Sequence, residues 1–127
     1  MPKIMRCLQD TVESIQTEHL NHGEIDGYIY LTVPDNFTQD KMEDVVLDDK
    51  LKEQLRSISP HWQRYKERII EKIREKYSYD DEMNIMNIKA LSTKTTEDKA
   101  KISKYDNFVK SIKDYYKTYK ESLGLGG

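Results

Sequence analysis

Residues 25–34 read IDGYIYLTVP. β-Branched and aromatic side chains fill the run, Gly27 precedes it and Pro34 ends it, which is the composition of a strand. Alternation puts Tyr28, Tyr30 and Thr32 on one face, with Ile29, Leu31 and Val33 on the other. A single strand is not stable in water, so this one requires a partner. Two sources are open: residues 2–8 of the same chain, or another chain.

The rest of the N-terminal third is uneven. DTVESIQTEHL (10–20) offers Asp10 as an N-cap with Glu13 three residues on, and Val12, Ile15, His19 and Leu20 at helical spacing, so a short helix is expected there. NHGE (21–24) has the composition of a turn. PDNFTQDKMEDVVLDD (34–49) reads as a turn followed by irregular or briefly helical chain. DDKLKEQLRSI (48–58) then sets Leu51, Leu55 and Ile58 on one helical stripe.

Ser59-Pro60 is a clear start signal: serine caps, and proline loses nothing at a first helical position whose N–H has no partner anyway. The helix after it carries Trp62, Tyr65, Ile69, Ile70, Ile73 and Tyr77 at spacings of three and four. REKYSYDDEMNIMNIKAL (74–91) is the joint that follows, with Met83, Met86 and Ile88 expected to continue the packing surface. The last segment is the most regular. Ile102, Tyr105, Val109, Ile112, Tyr116, Tyr119 and Leu123 alternate spacings of three and four, a heptad seam expected to form one helix of about 26 residues starting after Thr95 or Thr96. Gly124 fits the left-handed position that ends such a helix, with Leu125 folding back.

The expected fold is therefore mainly α: a helical hairpin or small bundle with a long C-terminal heptad helix, plus a small N-terminal α+β part with one or two strands. Two regions are expected, an acidic one over 1–58 and a helical hairpin with a basic C-terminal helix over 59–127. Residues 1–58 hold 6 Lys and Arg against 12 Asp and Glu, while residues 59–127 hold 15 against 11. Such an asymmetry can order chains head to tail or present either face to a charged partner. Charged residues are 35% of the chain and hydrophobic ones 36%, a lean supply of core that favours elongated helices or burial against partners. No run reaches the roughly 18 to 20 apolar residues of a membrane span, and MPKIMRCLQD lacks the apolar core of a secretory signal, so a soluble protein without membrane contact is expected. The single cysteine, Cys7, excludes an internal disulfide and a cysteine-rich zinc module.

Asp80, Asp81 and Glu82 could in principle hold a divalent cation or supply an acid and a base. Consecutive helical residues point about 100° apart, however, and Ser78-x-x-Asp81 has capping-box spacing at the positive end of a helix dipole. Capping by Ser59, Ser78, Asp81 and Gly124 is the reading adopted. His19 and His22, with Cys7, Glu18, Glu24 and Asp26, make a weak zinc set without a second ligand pair at fixed distance. No phosphate loop, nucleophile elbow or zinc-protease motif occurs, so neither an enzyme nor a cofactor is expected. Lys101, Lys104, Lys110, Lys113 and Lys117, interleaved with tyrosines, are the candidates for nucleic-acid contact, against which stand the absence of arginine from that helix and the packing role of its tyrosines.

REKYSYDDEMNIMN (74–87), followed by KYDNFVKSIKDYYK (104–117), resembles a pattern in small structural-region proteins of tailed bacteriophages. There a basic helix ends in a Tyr-Ser element, an acidic opening starts a short apolar helix, and a second helix with a Tyr-x-x-(Phe/Tyr)-Val element packs back. The resemblance covers about residues 64–117. The Lys-, Asn- and Tyr-rich composition is similar to that of phages of AT-rich hosts, crAss-like phages among them. The resemblance implies a tail, neck or head-associated protein, without catalytic residues, that binds itself and neighbouring phage structural proteins in the virion or in the bacterial cytoplasm during assembly. Trp62, Tyr65, Ile69, Ile73, Ile102, Tyr105, Val109, Ile112, Tyr116 and Tyr119 are the residues expected to carry packing or oligomerisation. The alternative is a small phage or bacterial regulatory or inhibitory protein that binds nucleic acid or a host protein.

Overall fold

A computed structural model of the chain describes residues 1–126. The chain divides into two compact units, one formed by Met1–Tyr65 with the residues from Thr118 on, the other by Lys66–Lys117.

The first unit is built on a sheet of β1 (Lys3–Cys7), β2 (Leu20–Ile25), β3 (Tyr28–Val33) and β4 (Glu43–Asp44), all antiparallel, in the order β2-β3-β1-β4. The run at 28–33 takes its partners from its own chain on both sides. β1 pairs with it in the register Met5↔Leu31 and Cys7↔Ile29. On the other side β2 forms a hairpin in which Ile25 faces Tyr28 across the two-residue loop Asp26-Gly27. Both loop residues have positive φ, 52° and 87°, which matches the strand twist and suits Asp-Gly. Residues 21–24 are thus strand, not turn: Gly23, at φ 122°, accommodates a bulge that leaves His22 without a cross-strand partner.

Ile29, Leu31 and Val33 pack with Met5, Cys7 and Ile15, and Val12, Phe37 and Met42 close over this cluster. The opposite face is covered as well, since Tyr30 and Thr32 are also buried. Gly124 lies over Thr32 and Ile4, and α2 (Asp49–Ile58) brings Ile58 against Gly23. Both sheet edges are blunted, β2 by its bulge and β4 by its exposed carboxylates, which pair as Lys3–Asp44 (2.8 Å) and Arg6–Glu43 (2.9 Å). The helix expected over 10–20 is reduced to α1 (Gln9–Val12), whose N-cap is Leu8 without a side-chain bond. Ser14 bonds Thr11 O through its hydroxyl (2.6 Å), the local competition that makes serine and threonine poor helix interiors.

Three helices cross a division between the units or end near one. α3 (Pro60–Arg74) begins at Ser59, whose Oγ accepts the Trp62 N–H. The C-terminal seam is interrupted: α5 (Thr96–Tyr115) stops at Tyr116, which sits at φ −90°, ψ 5° in the bridge region, and α6 (Lys117–Ser122) follows. Thr95 and Asp98 form a full capping box at the start of α5. Gly124 then has φ 71°, and Leu123 and Leu125 on either side of it are buried.

The second unit contains α3 from Lys66 on, α4 (Tyr79–Lys89) and the whole of α5. The Tyr77 ring meets Tyr105 edge-on at 5.0 Å and Phe108 at 5.5 Å, and Lys89 bridges α4 to Asp106 of α5 at 2.8 Å. The expectation of a mainly α protein with one long heptad helix is overturned. Among the described residues there are six helices, 52% of the chain, and a four-stranded antiparallel sheet, so the fold is mixed α+β. Two causes stand behind the difference: a heptad spacing fixes which residues share a face but not that the backbone stays helical, and the β2–β3 pairing is set by a two-residue turn.

Candidate functional site

In the sheet unit the His22 side chain is fully enclosed, with no measurable exposure. The bulge turns it inward, where Nδ1 lies 2.6 Å from Ser59 Oγ and Nε2 lies 2.6 Å from Thr32 Oγ1. The Thr32 hydroxyl donates to the Leu123 carbonyl, so Thr32 Oγ1 must accept from His22, which assigns the Nε2–H tautomer. Nδ1 is then the acceptor and Ser59 O–H the donor. Ser59 Oγ in turn accepts the Trp62 N–H (3.3 Å). The result is a directed chain joining β2, β3, the start of α3 and the C-terminal segment, complete only with neutral imidazole. Burial, with His61 beside it (ring centroids 5.8 Å), pushes the His22 pKa down to about 4.

The other members of the zinc set do not join it. His19 Nδ1 is bonded to the Thr17 carbonyl (2.9 Å), and His19 and Glu18 line an open cleft of about 950 Å³ with Ile15, Leu20, Val33 and Asp35. Cys7 is buried in the core, and that burial pushes its thiol pKa up. Among the described residues no three His, Cys, Asp or Glu converge on a common point.

In the helical unit the acidic triplet diverges. Ser78 and Asp81 form a reciprocal capping box at 3.1 and 3.0 Å. Glu82 accepts from the Tyr105 hydroxyl and pairs with Arg74, while Asp80 is exposed. One carboxylate therefore starts α4, one ties it to α5 and α3, and one faces solvent.

Of the predicted packing residues, Ile69, Ile73, Tyr105 and Ile112 are buried in this unit, and Ile102, Val109 and Tyr116 are half-buried. Trp62 and Tyr65 are buried in the sheet unit, where their rings lie 5.0 Å apart and Tyr65 meets Tyr119 at 6.3 Å. Met83 and Met86 do not continue the interior, however: Ile85 is the buried residue of α4, helped by Ile88. Tyr79, Met83 and Met86 lie on the opposite side, 65%, 44% and 47% exposed. With Ala90 they follow spacings of four, three and four, so they fall within a stripe about 60° wide. α4 is thus apolar on two opposite faces, a signal that average hydrophobicity conceals and that reading burial residue by residue recovers. Lys101, Lys104, Lys110, Lys113 and Lys117 are all exposed. Lys101 and Lys104 border a small cavity of about 390 Å³ between α4 and α5.

No family model, curated protein or solved structure matches this chain.

Proposed function

We propose that this protein is a non-enzymatic assembly component that works by binding copies of itself and neighbouring proteins through its helical unit. The observation that carries the reading is the two-faced α4. One face, through Ile85, packs within the unit, and the other presents Tyr79, Met83 and Met86 to solvent. An ordinary surface helix has one apolar face and turns the other to water, so a second apolar stripe left outside marks a contact surface. The resemblance of residues 64–117 to structural-region proteins of tailed bacteriophages supports the same reading, and with it a place in a virion or in the host cytoplasm during assembly. The enclosure of His22 and Cys7 in the sheet unit supports the non-enzymatic part of the reading.

The test is molar mass by light scattering across a wide concentration range, for the native chain and for the doubly substituted Met83→Asp, Met86→Asp. The native chain should rise above its monomer mass of 15.1 kDa with concentration. The double variant, altered only at exposed positions, should keep the native circular dichroism spectrum and remain at the monomer mass. A native chain that stays monomeric at every concentration, or a variant that associates equally well, would refute self-assembly through α4.

A further inference from the structure

We infer that the cavity between α4 and α5 is a binding site for a nucleotide unit, a phosphate carried on a flat apolar base. Its wall on α4 consists of Asp81, Asn84, Ile85 and Ile88, which recur at helical spacing on the inner face, and Tyr77 completes the apolar floor. Lys76, Lys101 and Lys104 stand around it. None of these three ammonium groups has a carboxylate partner among the described residues; Lys76 instead lies 4.7 Å from the Phe108 ring centroid. The one acid in the lining, Asp81, accepts the Ser78 N–H and is committed to the cap.

A concave site with three positive charges against one committed carboxylate concentrates anions. Its floor adds a requirement: a bare anion leaves the half-buried Tyr77 and Ile88 uncovered, whereas a base can lie on an aromatic and aliphatic surface. At about 390 Å³ the space is near the lower end of small-ligand sites and suits one nucleotide, not a helix of nucleic acid. The nucleotide can be free or part of a single strand. The two sources share their chemistry at the cavity and differ in how salt acts. This surface lies on the face of α4 opposite Tyr79, Met83 and Met86, so the inference does not depend on the assembly reading.

The experiment is a titration of the full chain, followed by amide and side-chain NMR shifts, with inorganic phosphate, adenosine 5′-monophosphate and a short oligothymidylate. The monophosphate should bind more tightly than inorganic phosphate and shift Lys76, Asn84, Ile85 and Ile88. Lys101→Glu with Lys104→Glu should weaken it at least tenfold, while Lys50→Glu, exposed on α2 in the sheet unit, should leave it within twofold. If the strand is the source, the oligothymidylate binds more tightly than the monophosphate, and its affinity falls about twentyfold between about 50 and 200 mM salt, as expected for three neutralised phosphates. If the free nucleotide is the source, the two bind alike. The inference is overturned if no nucleotide binds at millimolar concentration, if inorganic phosphate binds as well as the monophosphate, or if Lys50→Glu costs as much as the double substitution.

Discussion

Acidification should unlatch the sheet unit through His22. The imidazole is enclosed and its two nitrogens are already committed, Nε2–H to Thr32 and Nδ1 to the Ser59 hydroxyl. A second proton would have to sit at Nδ1, facing the Ser59 proton, in a place enclosed from solvent. The folded-state pKa is therefore about 4, below the ordinary 6.5 that the unfolded chain has. Between those values the unfolded state binds a proton that the folded state does not, so stability is full above 6.5 and is lost as pH falls towards 4. Every tenfold loss of proton affinity on folding is worth about 1.4 kcal/mol, so the whole effect is about 3 kcal/mol, and about 2 kcal/mol of it should appear between about pH 7 and 5. Urea unfolding followed by far-ultraviolet circular dichroism over that interval measures it. A His22→Asn variant should be less stable at pH 7, because Ser59 and Thr32 lose their partner, and should have a flatter profile from 7 to 5. The direct readout is the His22 Cε1–H resonance, which should not move until the pH is below about 5. A native chain equally stable at pH 7 and 5, or a His22 resonance that titrates near 6.5, would refute the enclosed, neutral latch.

Two local features make further predictions. Gly124→Ala should lower the thermal midpoint, since φ is 71° and a Cβ would sit 3.2 Å from Thr32 Cγ2 and 3.5 Å from Ile4 Cδ1; the backbone conformation alone costs about 1–2 kcal/mol for an L-residue, and a midpoint unchanged by calorimetry would show that the segment adapts. Ser78→Ala removes the Oγ that accepts the Asp81 N–H and should destabilise the helical unit by about 1 kcal/mol, read from hydrogen exchange of the first α4 amides, without altering mass or nucleotide affinity.

What could be read from the sequence divides along the range of the interactions. The strand at 28–33 is legible because alternation and its bounding Gly27 and Pro34 are all within ten residues, and of its two possible partners the chain supplies its own residues 3–7. The capping box at Ser78/Asp81 is likewise a three-residue event. β2 was hidden because LNHGEI has only two strongly apolar residues, and its Gly23 serves a bulge where composition suggests a turn. The Asp26-Gly27 pair between two extended runs was the available signal for that hairpin. The His22 latch joins residues 10, 37 and 91 positions apart, and no local pattern encodes such a meeting. Nor does a heptad reveal the interruption at Tyr116.

The two units differ in what they leave undone. In the sheet unit both faces of β3 are covered, and among the described residues no buried side-chain polar atom lacks a partner. The helical unit leaves Tyr79, Met83 and Met86 outside on α4. Covering what remains exposed of those three is worth about 1 kcal/mol each, so a symmetric pair of stripes supplies about 6 kcal/mol. Joining two free molecules costs on the order of 4–15 kcal/mol. The stripe alone therefore makes a weak dimer, one seen only at high concentration, which is why the light-scattering test must span a wide range. The same weakness suits an assembly component: when many copies are held together, each further contact forms at a high effective concentration, and modest stripes add into a stable array without a stable free dimer.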